Sequence, residues 1–132
     1  MIAEMNWLAI AVASLATFVV GGPWYSPMLF LKAWQKEMNI SDTKTGHPAK
    51  VFGLAYVFSF TSCALLAFLQ GVGRGALAGG RFGLLVGLCF VAASFGVNYQ
   101  FSNRSLKALL IDGGYHVLQF SAFGIVLGAW PW

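Results

Sequence analysis

Four long apolar stretches dominate the chain. They run from about Met5 to Tyr25, Val51 to Gln70, Leu77 to Tyr99 and Leu109 to Trp130. A bilayer core about 30 Å thick takes roughly 20 apolar residues of helix. Each stretch is therefore read as a transmembrane span, and the fold class as an all-α four-helix transmembrane bundle. No soluble domain fits between the spans, so residues 1–132 are read as one integral membrane domain. The first stretch is read as a retained span, not a cleaved leader. The segment before it, Met1-Ile2-Ala3-Glu4, carries an acid and no Lys or Arg.

The longest connection, Ser26 to Lys50, has a pattern of its own. Ser26-Pro27 is a plausible helix start. Residues 27, 30, 31, 34 and 38 share one face, while Lys32, Gln35 and Lys36 lie off it. This predicts a short amphipathic helix on the inner leaflet.

Small residues recur at every fourth position within the spans. Span three carries Gly75, Gly79, Gly83 and Gly87. Apolar burial does not drive helix association in lipid, but close backbone approach does. That row is therefore the candidate packing face, within or between protomers. Rows at Ala9, Ala13, Thr17, Gly21 and at Ala55, Ser59, Cys63, Ala67, Gly71 are weaker versions. A four-residue step drifts by about 40° around a helix, so no row is expected to form one straight seam. In span four the row reads Asp112, His116, Phe120, Gly124, Gly128. Its Gly124 and Gly128 end is expected to touch a neighbour and its Asp and His end to face a polar interior.

Composition now sharpens the picture. Of 132 residues, 58% are hydrophobic and 9% charged, where a soluble domain carries roughly 25% charged. Mean hydropathy is +0.73 and the pI about 9.3. These values exclude a soluble monomer and a disordered chain. They also exclude a nucleic-acid binder, because the basic residues are topology signals. Lys32, Lys36, Lys44 and Lys50 lie in loop one, Arg104 and Lys107 in loop three, and Arg74 and Arg81 in loop two. The positive-inside rule then places loops one and three in the cytoplasm and both termini outside. Trp7, Trp130 and Trp132 are expected at the outer interface, and Trp24, Tyr25 and Tyr99 at the inner one.

Chemistry is concentrated in one turn of span four. An ionisable residue inside a span usually faces a bundle interior or wet cavity. Asp112 and His116, four apart, share a helix face. Tyr115, Gln119, Asn98, Tyr99, Trp24 and Tyr25 are read as completing a polar inner vestibule around them. One reading is a proton relay or ion site. The other is structural: Asp112 pairs with Arg104 or Lys107, and His116 is a satisfied core histidine. Glu37 and Asp42 are read as solvated. Cys63 and Cys89 are read as packing residues, with no metal-site spacing. No catalytic residue, metal site or cofactor is assigned, and the chain is not read as an enzyme. The Gly71-Val72-Gly73-Arg74-Gly75 stretch is a tight turn and not a phosphate loop.

An offset of 75 residues aligns Gly21 with Gly96, Trp24 with Tyr99, Leu31-Lys32-Ala33 with Leu106-Lys107-Ala108, and Glu37 with Asp112. This is a weak internal repeat of the kind many transporters carry.

Several motifs resemble a known family. They are Met5-Asn6-Trp7-Leu8-Ala9, Gly21-Gly22-Pro23-Trp24-Tyr25-Ser26-Pro27, Lys32-Ala33-Trp34, Asn98-Tyr99-Gln100-Phe101 and Ile111-Asp112-Gly113-Gly114-Tyr115-His116. The chain resembles the bacterial membrane family catalogued as domain of unknown function 1761. The resemblance implies a four-span integral membrane protein of bacteria and supplies no reaction, substrate or functional residues. Two functions stay open. One is a proton-linked or small-solute transporter or channel subunit using Asp112 and His116, working as a homo-oligomer. The other is a non-catalytic membrane component that stabilises a partner complex or binds a lipid or isoprenoid.

Overall fold

A computed structural model describes residues 2–40 and 46–131. Asp42, Lys44 and Trp132 lie outside the described residues. The described chain is helical, with no strand, and four helical stretches are long and apolar enough to cross a membrane. They cover Trp7–Trp24, Pro48–Gln70, Ala76–Phe101 and Leu106–Ala129.

Span one consists of two helices, α1 (Trp7–Ser14) and α2 (Ala16–Trp24), hinged at Leu15. The Asn6 side chain accepts from the Ala9 backbone N–H at 2.9 Å and caps α1. The hinge has a specific cause. The Ala11 carbonyl accepts from the hydroxyls of Ser14 at 2.8 Å and Tyr56 at 3.0 Å. The Leu15 N–H turns to Val12 O instead, a tighter step of the ladder. Span two is one helix, α4 (Pro48–Gln70), with Pro48 at its first position, where a missing N–H costs nothing.

The helix predicted in loop one is present as α3 (Leu31–Glu37), shorter than its apolar pattern. Residues from Ser26 to Phe30 form turns, with Leu29 and Leu31 N–H both donating to Ser26 O. Aromatic residues of its apolar side pack onto the bundle. Trp34 packs edge-on against Tyr25 at 5.7 Å, and Phe30 lies 4.6 Å from Trp24. Glu37 is not simply solvated: it accepts from the Ser105 hydroxyl at 2.5 Å.

Span three begins with α5 (Ala76–Val86), passes through a π-helical segment (Gly87–Ala92) and ends with α6 (Ala93–Phe101). Span four is α7 (Leu106–Ala129), capped by Ser105, whose Oγ accepts from the Ala108 N–H at 3.1 Å. The turn between spans two and three uses Gly71, Gly73 and Gly75 at positive φ. Gly73 and Gly75 donate to the carbonyls of Leu127 and Gly128 at 2.9 and 2.8 Å. The turn thus satisfies carbonyls at the end of α7 that have no partner within the helix.

Span four is the central helix. It buries 44% of its most apolar stretch, against 17–28% for the other three. The core gathers Ile10 and Ala13 from span one, Cys63 and Leu66 from span two, and Phe120, Phe123 and Leu127 from span four. Cys63 is buried in this core, while Cys89 is exposed on the outside.

Span three contributes glycines to the packing in place of large side chains. A Cβ on Gly79 would collide with the carbonyl of Gly124, and one on Gly83 with that of Phe120. One on Gly87 would lie 2.9 Å from Val117 Cα, and one on Gly128 would meet the carbonyl of Gly75. The row from Gly75 to Gly87 therefore follows span four for its whole length, where no single seam was expected. A four-residue row is inclined to its helix axis, and two crossing helices can track each other along it. With span three pressed this closely onto span four, it touches span two far less.

Candidate functional site

Two clusters of polar side chains are anchored on α7. The first lies near the end that carries loops one and three. Asp112 is 7% exposed. Its Oδ1 accepts from Tyr25 Oη at 2.5 Å, and its Oδ2 accepts from Tyr99 Oη. Tyr25 follows directly after α2, and Tyr99 lies on α6. One carboxylate thus ties the ends of spans one and three to span four. Beside it, Trp24 Nε1 donates to the Ile111 carbonyl at 2.9 Å. Two glycines give these rings room. A Cβ on Gly21 would lie 3.3 Å from the Tyr115 ring, and one on Gly114 would lie 3.1 Å from the Trp24 ring.

Two expectations are corrected here. Asp112 is held by two tyrosine hydroxyls, not by Arg104 or Lys107, and Arg104 donates to the Met38 carbonyl at 3.1 Å. Asn98 does not join the cluster. It is exposed, and among the described residues its side chain makes no hydrogen bond, while its backbone carbonyl accepts from the Ser102 hydroxyl. Neighbouring residues on a helix point about 100° apart, so when Tyr99 faces inward Asn98 faces out.

The second cluster lies one to two turns further along α7. His116 Nδ1 is 2.7 Å from Gln119 Oε1. Gln119, 5% exposed, donates through Nε2 to Thr17 Oγ1 at 2.7 Å. A second, longer contact reaches Ser59 Oγ at 3.5 Å. Thr17 Oγ1 in turn donates to Ser59 Oγ at 2.6 Å. Tyr115 donates its hydroxyl to the Thr17 carbonyl at 3.0 Å. Spans one, two and four are thereby joined by a continuous chain of side-chain hydrogen bonds. The His116 ring stacks on Phe95 at 4.9 Å and meets Tyr115 edge-on at 4.8 Å.

Asp112 and His116 share a helix face, but their hydrogen bonds lead to different partners. In the sequence Thr17 and Ser59 stand out only as members of small-residue rows. Their signal was the hydroxyl at a buried depth in an apolar span, which in lipid calls for a partner.

The second cluster borders a hollow. A cavity of about 340 Å³ is lined by Thr17, Ala55, Phe58, Ser59, Ser62, Val91, Tyr115, His116, Gln119 and Phe120. A second hollow of about 340 Å³ shares Ser62, Val91 and Phe120 with it and continues past Leu65, Leu66, Leu69, Val86 and Phe90. Together they form a groove between spans two and three, floored by Phe120 of span four. The groove opens sideways: rim residues Phe58, Leu65 and Phe90 are 70, 59 and 71% exposed. Val91 and Phe90 belong to the π segment, a distortion that often accompanies functional sites in helices.

Neither a curated protein nor a solved structure matches the chain. A family model described as a protein of unknown function (DUF1761) matches residues 8–128, which include both polar clusters and the groove, and the chain belongs to that family.

Proposed function

We propose that this protein is a non-catalytic, multi-pass component of the bacterial cytoplasmic membrane that holds a chain-bearing lipid or isoprenoid in the groove between spans two and three. The observation that carries this reading is the groove itself. It is long, walled by apolar side chains and open to the bilayer side, and its polar groups gather at one end. Ligand sites are commonly concave and apolar, with a few fixed polar groups. Loops one and three face the cytoplasm and both termini the outside, following the six-to-two distribution of Lys and Arg.

Mass spectrometry of the purified protein tests the reading. Wild type should retain a lipid-soluble molecule through detergent exchange. Val91→Trp, which fills the groove at its middle, should lose that molecule while circular dichroism shows the helices still folded. Equal retention by the filled variant would sink the proposal. A cytoplasmic reporter that is active when fused to the C-terminus would overturn the orientation.

Proton-linked or small-solute transport through Asp112 and His116 is the second reading, favoured by a buried ionisable residue inside a span. The geometry supports it less. Both Asp112 oxygens are engaged by tyrosines, and His116 is turned to Gln119. Transport would call for a pH-linked flux in liposomes that Asp112→Asn with His116→Gln abolishes. It would also call for a homo-oligomer to enclose the path.

A further inference from the structure

The hydrogen-bond chain at the end of the groove can be followed donor by donor. Gln119 Oε1 only accepts, so in the neutral imidazole His116 Nδ1 carries the hydrogen in their contact and His116 Nε2 is left with a lone pair. Gln119 Nε2 donates to Thr17 Oγ1, and Thr17 spends its hydroxyl hydrogen on Ser59 Oγ. Ser59 receives two hydrogen bonds, and its own hydroxyl hydrogen finds no acceptor among the described residues. His116 Nε2 likewise has no hydrogen-bond partner among them. Both residues line the same cavity.

Exchanging the two ends of the Gln119 amide reverses every bond in the chain. Nδ1 then accepts and Nε2 carries the hydrogen. Thr17 donates to Gln119, Ser59 donates to Thr17, and Ser59 keeps a lone pair. Either direction gives the same result: the chain ends in one free donor and one free acceptor, at opposite ends, facing one cavity.

Depth adds a second constraint. Ser59 is the middle residue of the 23-residue span two. His116 is within about 2 Å of the middle of span four along its axis, at 1.5 Å per residue. The polar end of the groove is thus at the level of the bilayer centre, where a charged group is costly. A phospholipid would have to bring its phosphate there.

Resting on the reading of the groove as a site for a hydrophobic chain, we propose that the ligand is an uncharged amphiphile with a hydroxyl at its end. This class comprises the long-chain alcohols and the prenols. A hydroxyl donates once and accepts at the same oxygen, so it closes the circuit between His116 and Ser59 in either direction of the chain. The hydrocarbon lies along Ser62, Leu66, Val91 and Phe120.

Photolabelling of the full-length protein in liposomes tests this. The probe is hexadecanol with a mid-chain diazirine, competed by hexadecanol, geranylgeraniol, hexadecyl methyl ether, hexadecane or added phosphatidylglycerol. Labels should map to peptides of spans two and three. The alcohols should compete about tenfold better than the ether or alkane, the worth of one to two neutral hydrogen bonds. Which alcohol competes better assigns the chain as straight or isoprenoid. The advantage should disappear in Ser59→Ala and in His116→Phe while labelling by the chain persists. Equal competition by ether, alkane and alcohol overturns the hydroxyl proposal and leaves the groove as a chain site. Competition by phosphatidylglycerol as strong as by the alcohols overturns the uncharged head. Labelling no greater than in Val91→Trp overturns the groove reading itself.

Discussion

Replacing Gly79 with alanine puts one methyl group where span three touches span four. The added carbon would collide with the Gly124 carbonyl and lie 2.9 Å from the Gly124 carbonyl carbon. Both are backbone atoms, which have no rotamer to escape into. With carbon contacts settling near 3.5 Å, the helices must part by roughly 1 Å. Overpacking of this kind costs about 1–3 kcal/mol, and an obstacle of backbone argues for the upper end. Alanine also favours a helix over glycine by about 1 kcal/mol, which would mask part of the effect. A control removes that term. Gly53 lies inside α4, and nothing stands within 4 Å of the position its Cβ would take. Gly53→Ala gains the same propensity without the clash, so the difference between the two variants isolates the contact. At about 3 kcal/mol the unfolding equilibria should differ by roughly 150-fold. Gly80→Ala should fall between them, because its obstacle is the Ile125 side chain, at 2.8 Å from Cγ1. Unfolding in mixed micelles by titration with SDS, followed by circular dichroism, gives the three values. If Gly79→Ala is no less stable than Gly53→Ala, the inferred backbone contact is wrong.

Tyr99→Phe and Tyr25→Phe each remove a hydrogen bond to Asp112 and leave one of its buried oxygens unmatched, at about 1–3 kcal/mol. Tyr99 is buried and Tyr25 half-buried; the loss should be larger for Tyr99→Phe in the same titration, and the reverse order would contradict the burial argument. Gln119→Leu breaks the chain between His116 and Thr17 and leaves buried polar groups unmatched, at about 1–3 kcal/mol; a variant as stable as wild type would show that the chain does not hold spans one, two and four together. Ser105→Ala removes both the cap of α7 and the contact with Glu37, at about 1 kcal/mol for the cap. Cleavage by trypsin at Lys36 should accelerate while the spans stay intact, and an unchanged cleavage rate would refute the idea that Ser105 holds α3 down.

Local pattern was enough for the spans because each is a property of one stretch of chain. Apolar length located all four to within a few residues. What depends on two stretches at once was not legible. The hinge at Leu15 requires the Tyr56 hydroxyl to arrive from span two, and nothing around Ala11 announces that. Thr17 and Ser59 are 42 positions apart, and each looks like one small residue in a row of small residues. Asp112 and His116 stood out because polar residues are rare at that depth, but rarity carries no direction. It did not say that tyrosines from two other spans would hold the carboxylate. The pair Asn98 and Tyr99 shows the limit most simply. Both are polar-capable and adjacent, and only the rotation of α6 decides which one faces Asp112.

What separates the two clusters is how completely each is satisfied. Asp112 has a donor on each oxygen, both fixed on helix ends, and the ring of Tyr25 is wedged between Trp34 and Tyr115. A group so engaged can pin helices, and admitting a ligand to it would first require breaking bonds to a buried carboxylate. His116 and Ser59 are the reverse case. Each spends part of its hydrogen-bonding capacity on the bundle and holds the remainder at a cavity wall. In the low-dielectric interior an unmet donor or acceptor is expensive, so the cost of leaving this pair empty favours an occupant that meets both. The spacing of one turn that made Asp112 and His116 look like a single site in the sequence thus joins a structural fastening to a binding end. Substitutions at the two positions should part accordingly: Asp112→Asn should lower stability with or without ligand, whereas His116→Phe should alter ligand preference and leave the bundle assembled.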